Sequence, residues 1–227
     1  MIETLLILGA AVWVWHRWRS RPTAGAGGSA DARARQLRTP LVQLAERLGF
    51  QTRRSQQARQ YAAGAAGERR TAARIDVLRQ EGWTVLHDRA LPRSRANVDH
   101  LAISPTGAVL LPDSKRWSAR YPLSVRGGRL WHGHRDVTDR LRGLRHECAA
   151  VAAVLGVPVT PLIAMDGARL AGPDGRPTSH LVVDGIRIVP ASRLAEVLRE
   201  VGRVPGQRRP ADLAEHAHRA LPPFGRW

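Results

Sequence analysis

The chain has 227 residues, long enough to bury a hydrophobic core, and 43% hydrophobic content with 15 Pro and 21 Gly excludes wholesale disorder and a collagen-like repeat. One cysteine, Cys148, excludes an internal disulfide and a cysteine-rich zinc site. The formal charge of +17 points to a polyanionic partner, nucleic acid or an anionic membrane surface, although the basic residues are all arginine except Lys115, a bias that GC-rich coding also produces.

From Ile2 to Trp15 the sequence is apolar apart from Glu3 and Thr4, and Arg17, Arg19 and Arg21 follow. Carried to Trp18, the stretch reaches about 25 Å as a helix, the short end for a bilayer. Trp13, Trp15 and Trp18 suit an aromatic belt, and the basic flank on the C-terminal side predicts a cytoplasmic body. Residues 1–19 therefore read as an anchor in the cytoplasmic membrane, in contact with lipid through residues 2–18. A buried or peripheral helix and an export signal are the alternatives, and the first would leave the protein cytoplasmic. A cleavable signal carries its positive charge before the apolar run, the reverse of the order here.

Residues 20–60 are expected to be a linker and a short helix: Gly-rich to residue 35, then helical spacing from Leu37 to Leu48, then a polar basic stretch. The main domain is expected over 61–202. It opens with a helix over Glu68–Glu81, stopped by Gly82. Strands are expected at Trp83–His87, Val98–Ile103 and Ala108–Leu111, the last two joined by the turn Pro105-Thr106-Gly107. A hairpin over Leu123–Trp131 turns at Gly127-Gly128, and a long helix fills Val137–Leu155. A strand at Val159–Met165 precedes a hairpin around Asp184-Gly185 and a helix capped by Ser192. Residues 203–227 form a helical tail. This order predicts an α/β fold, a mixed β-sheet flanked by helices.

Chemistry gathers at four residues. Asp99 lies in the second strand, Asp113 and Lys115 follow the third, and Glu68 opens the helix. Residues i and i+2 of a strand share a face, so Asp113 and Lys115 point together. If the second and third strands pair through the turn, Asp99 lies beside Asp113. Carboxylates converging away from thiols make a hard oxygen site suited to Mg²⁺ or Mn²⁺. Such a cation neutralises phosphate charge and yields hydroxide near neutral pH, while an ammonium positions water or stabilises the developing charge. That role suits a compact lysine better than arginine.

The blocks Gly67-Glu68, Asn97-Val98-Asp99-His100 and Asp113-Ser114-Lys115-Arg116-Trp117 resemble the nuclease-related domain, NERD, of the PD-(D/E)xK nuclease superfamily, over roughly 62–201. The resemblance implies a restriction-endonuclease-like fold. It implies Asp99 and Asp113 as metal-ligating acids, Lys115 as the catalytic lysine and Glu68 as the helix acid completing the metal site. Pro112-Asp113 is not the PD of the superfamily name, because that acid belongs on the preceding strand, where Val98 precedes Asp99. Pro112 lacks a ladder donor and calls for an edge position or a bulge.

Around this set, Arg116, Arg120, Arg126 and Arg129 are expected to hold phosphates. Trp117 and Tyr121 are expected to cap a core edge, with base stacking as the alternative. His132 and His134, at i and i+2, with His146 and Cys148 make a weaker zinc candidate. An auxiliary polar residue is expected among Arg142, His146 and Glu147. The expected activity is metal-dependent cleavage or nicking of DNA. The alternatives are a non-catalytic nucleic-acid-binding module and an anchored protein whose arginines meet anionic lipid.

Overall fold

The computed structural model describes residues 25–39, 42, 52–94 and 96–224. The apolar segment 1–19 and most of the helix expected over Leu37–Leu48 lie outside these residues. Among the described residues, no helix is long and apolar enough to cross a membrane.

The Gly-rich stretch read as a linker is helical over Gly28–Leu37 (α1). The polar stretch after it belongs to a 24-residue helix, Arg53–Asp76 (α2), which continues as a 3-10 turn over Val77–Glu81. The early start has a local cause. Thr52 accepts the Ser55 amide proton at 3.1 Å, and Ser55 Oγ accepts the Thr52 amide proton at 3.0 Å, a reciprocal cap. α1 packs along α2, with Ala30 and Ala34 on one helix and Ala58 and Ala65 on the other buried. Gly82, at φ 82°, ends the run as expected.

Strands β1 (Thr84–Ala90), β2 (Asn97–Ile103), β3 (Val109–Trp117), β7 (Val159–Gly167), β8 (Leu181–Val183) and β9 (Ile186–Pro190) form one mixed sheet in the order β1-β2-β3-β7-β9-β8. β3 runs parallel to β7 along its whole length and antiparallel to β2. A small sheet of β4 (Leu123–Arg126), β5 (Arg129–His132) and β6 (Arg135–Asp136) stands apart. Its β4–β5 hairpin turns at Gly127-Gly128, with φ values of 56° and 70°, the left-handed pair that a tight hairpin demands.

Helices cover both faces. On one, α3 (Arg142–Leu155) and α5 (Pro210–Ala220) close a core containing Leu111, Leu144, Val151, Ile163 and Leu213. On the other, α2 and α4 (Leu194–Val201) close a second core around Ile75, Leu110, Leu162 and Leu198. Each fully buried Leu or Ile contributes about 1.5–3 kcal/mol. The helix expected to be capped by Ser192 starts later: Ala191–Arg193 is a 3-10 turn and no side chain caps α4. The C-terminal tail joins the first core through Leu213, Ala217 and Leu221. It then lies along the outer edge of β1, where the Ala90 amide donates to the Pro222 carbonyl and the Phe224 amide to that of Asp88.

Candidate functional site

β2 and β3 pair only next to their turn, at Ala102 opposite Leu110 and Ile103 opposite Val109. Continuing that register sets Asp99 opposite Asp113 and His100 opposite Pro112. The Ser104 amide donates to the Ala108 carbonyl, so the even-numbered residues of β3 turn their backbone polar groups toward β2. Pro112 is one of them and has no N–H to give. The expected edge or bulge is thus resolved in a third way. β3 is an interior strand, but beyond Leu110 its β2 side is unpaired, and the strands part where the carboxylates begin. The β1–β2 register puts Asp88 in the same row as Asp99, beside the pairs His87–His100 and Arg89–Val98. On the extended register, Asp88, Asp99 and Asp113 fall in one row of β1, β2 and β3.

Asp113 and Lys115 share the face that bears Leu111, toward α3, and their side chains form an ion pair. Burial works against the Lys115 charge, but Asp113, Glu147 and Asp99 outweigh it and hold the ammonium above its ordinary range. Lys115 is therefore a fixed cation near neutral pH. Asp99 accepts from Asn97 Nδ2 at 3.1 Å. Burial first, then the fields of Glu68, Asp113 and Glu147, raise its carboxyl well above the usual carboxylate value, with Lys115 opposing.

Glu68 reaches the same place from α2. Burial, followed by Asp88, Asp113 and Asp31, pushes it up to about 7, although the Gly27 amide donates to it. Its Oε2 is buried without a hydrogen-bond partner. Of Arg142, His146 and Glu147, the first two are exposed, whereas Glu147 is half-buried and pushed up to about 7 by burial and then Asp113, with Lys115 opposing.

Two contributors escape the sequence. Asp88 is buried in a left-handed conformation, φ 49°, and accepts from Asn97 Nδ2 and the Ser29 amide, both at 2.9 Å. The start of α1 therefore docks on the acids: Ser29 through Asp88, Gly27 through Glu68. Gly27 has φ 78°, and a Cβ there would stand 2.8 Å from the Ala65 carbonyl oxygen. The signal for Asp88 lay in strand register. Nothing in the Gly-rich stretch signals the docking.

Five clustered carboxylates against one ammonium make a hard, electron-rich donor set, and the orphaned Glu68 oxygen lacks a cation or a donor. The residue kinds thus fit a divalent cation such as Mg²⁺ or Mn²⁺. The arrangement itself is looser. Among the described residues, no three His, Cys, Asp or Glu side chains converge as a ligand set. Coulomb coupling extends over several ångströms, whereas ligation requires about 2 Å. Asp113 is already engaged by Lys115.

The zinc candidate falls to the same observation. β5 ends at His132, and Gly133, at φ 62°, turns the chain, so His134 does not share a strand face with it. The His132 ring lies 5.7 Å from that of Trp117 and 6.0 Å from that of Tyr121. Trp117 packs against the core edge, as expected, while Tyr121 is exposed beside Arg120. Of the four expected phosphate contacts, Arg126 lies over the Trp131 ring and donates to the Gly133 carbonyl at 2.7 Å. Arg129 pairs with Asp136. Arg116 and Arg120 are exposed.

Residues 63–165 match the family model of the nuclease-related domain, NERD, a segment holding Glu68, Asp88, Asp99, Asp113, Lys115 and Glu147. Neither a curated protein nor a solved structure matches the chain.

Proposed function

From the match of residues 63–165 to the nuclease-related domain, we propose that the chain hydrolyses DNA phosphodiester bonds, as an endonuclease or nickase dependent on Mg²⁺ or Mn²⁺. The sheet is then a restriction-endonuclease-like core. The observation that carries this reading is the coupling of Asp99 to Glu68 and Asp113, with Asp99 and Asp113 at positions that the β2–β3 register sets opposite each other when extended.

Asp99, Asp113 and Glu68 would hold the cation. When bound, it lowers the pKa of a water and neutralises charge on the phosphate. Once Asp113 turns from Lys115, the ammonium is released to face the scissile phosphate, where it stabilises charge on a non-bridging oxygen and orients the attacking water. Lys115 keeps its proton in this scheme and is not the base. The Glu147 carboxylate, when ionised, adds to the field that holds the Lys115 proton. The proposal extends to residues 2–18 as a membrane tether with the nuclease domain in the cytoplasm.

The full chain is expected to nick or cut supercoiled plasmid with Mg²⁺ or Mn²⁺, and Lys115→Ala and Asp99→Ala are expected to abolish cutting. Equal cutting by Lys115→Ala would sink the assignment. A second reading, a non-catalytic nucleic-acid-binding module, is favoured by one observation: Asp113 is already engaged by Lys115, and no three ligands converge among the described residues. It predicts DNA binding with no cleavage under any divalent ion.

A further inference from the structure

β3 has two faces, and its own acid, Asp113, uses only one. Ser114 and Arg116 point the other way, into a cleft of about 320 Å³ between α2 and the ends of β3 and β7. Arg70 and Arg74 line it from α2, Ser114, Lys115 and Arg116 from β3, and Asp166 from β7, so the cleft adjoins the acid site at Lys115. Gly64 and Gly67 leave the helix wall bare. A Cβ at Gly64 would meet nothing within 4 Å, and one at Gly67 would come no closer than 3.7 Å to Ser114 Oγ.

The charge balance is uneven. Arg70 reaches Asp166 at 3.3 Å, an exposed pair of little strength. Arg74 and Arg116 have no acidic partner among the described residues. Ser114 brings a hydroxyl, whereas Thr71 is buried. Among the described residues, no aromatic ring lines the cleft to stack a base. Guanidinium forks, a serine hydroxyl and the room left by two glycines suit the oxygens of a phosphate backbone.

We propose that this cleft grips the phosphodiester backbone of a nucleic-acid strand, through Arg74 and Arg116 with Arg70 beside them, one residue along β3 from the acid face. The identity of the polyanion as nucleic acid rests on the nuclease reading; the existence of a phosphate-holding cleft does not. In contrast to Arg126 and Arg129, which are engaged within the small sheet, these guanidiniums can meet phosphate without first breaking a strong contact.

The test is binding of a fluorescently labelled DNA duplex by the full chain without divalent metal, followed through a salt titration. Removing one arginine–phosphate pairing flattens the log–log slope by about 0.9. Arg116→Ala is expected to flatten it by about one, and Arg74→Ala/Arg116→Ala by about two, independent of DNA sequence. Arg219→Ala, which removes one charge on α5, is the control and should leave the slope in place. Unchanged slopes in both cleft variants, or no DNA affinity in the wild type, overturn the proposal. So does a loss of affinity for phosphatidylglycerol vesicles with DNA binding intact, which would assign the cleft to lipid. If the wild type cuts plasmid and the cleft variants bind with its slope, the cleft fails and the nuclease stands. If the slope falls as expected and no divalent ion supports cutting, the cleft stands and the nuclease fails.

Discussion

Replacing Glu147 with Gln should make the metal-free protein more stable, and only at the alkaline side of its titration. In the unfolded chain the carboxyl ionises near its ordinary 4.5; in the fold, burial and the Asp113 charge keep it protonated to about 7. Between those values the folded state retains a proton that the unfolded state has released, so stability falls as pH rises. Each pH unit costs about 1.4 kcal/mol, which makes the ceiling about 3 kcal/mol above pH 7. Gln keeps the shape and cannot ionise, so it removes the penalty. For a chain of this length each kcal/mol moves the midpoint by about 2–4 °C, giving up to about 10 °C. Thermal unfolding followed by circular dichroism at about pH 8 and about pH 4.5 checks this, with nearly the whole gain expected at the higher value. A Gln variant no more stable than wild type at the higher pH, or one that gains equally at both, would refute the placement of Glu147 in a desolvated acidic field.

Two further outcomes test the structure around the site. The Cys148 thiol, pushed up to about 12 by burial and then by Glu147 and Asp113, should resist a disulfide reagent in the native protein and react fully in denaturant; fast native labelling would contradict its burial. Gly202→Ala places a Cβ 2.2 Å from Trp83 Cη2 and 2.8 Å from the Leu198 carbonyl oxygen, so urea unfolding should show a loss of about 1–3 kcal/mol.

The parts legible in the sequence were those whose signal is apolar and local. Val109-Leu110-Leu111 announced a buried strand because both of its faces meet a helix layer, and Gly82, Gly127-Gly128 and Asp184-Gly185 marked turns because only they tolerate the required φ. Asp99, Asp113 and Lys115 stood out as an expected site because a turn fixes which strand residues face each other, and Glu68 joined them through the resemblance of its Gly67-Glu68 block. What stayed hidden was stabilised without large apolar side chains. α2 extends back to Arg53 through a Thr–Ser cap and buried alanines, which leave no hydrophobic stripe. Asp88 required the β1–β2 register, and Glu147 could not be told from its neighbours until α3 showed which side of it faces the sheet. The end of β3 is longer than its apolar run because Asp113 to Trp117 are held by pairing with β7 rather than by their own composition.

The parting of β2 from β3 makes their shared turn a fulcrum. Thr106 Oγ1 donates to the Gly202 carbonyl at 2.6 Å, and the Gly206 amide donates to the Thr106 carbonyl at 2.9 Å, riveting that end of the fork to the segment after α4. The two tines bear Asp99 and Asp113, so the gap between these acids is geared to a clamp at the opposite end of the strands. Damage at Thr106 or Gly206 would then act on the acids from a distance: Asp99 and Asp113 stay intact, but the clamp that holds their two strands together is loosened.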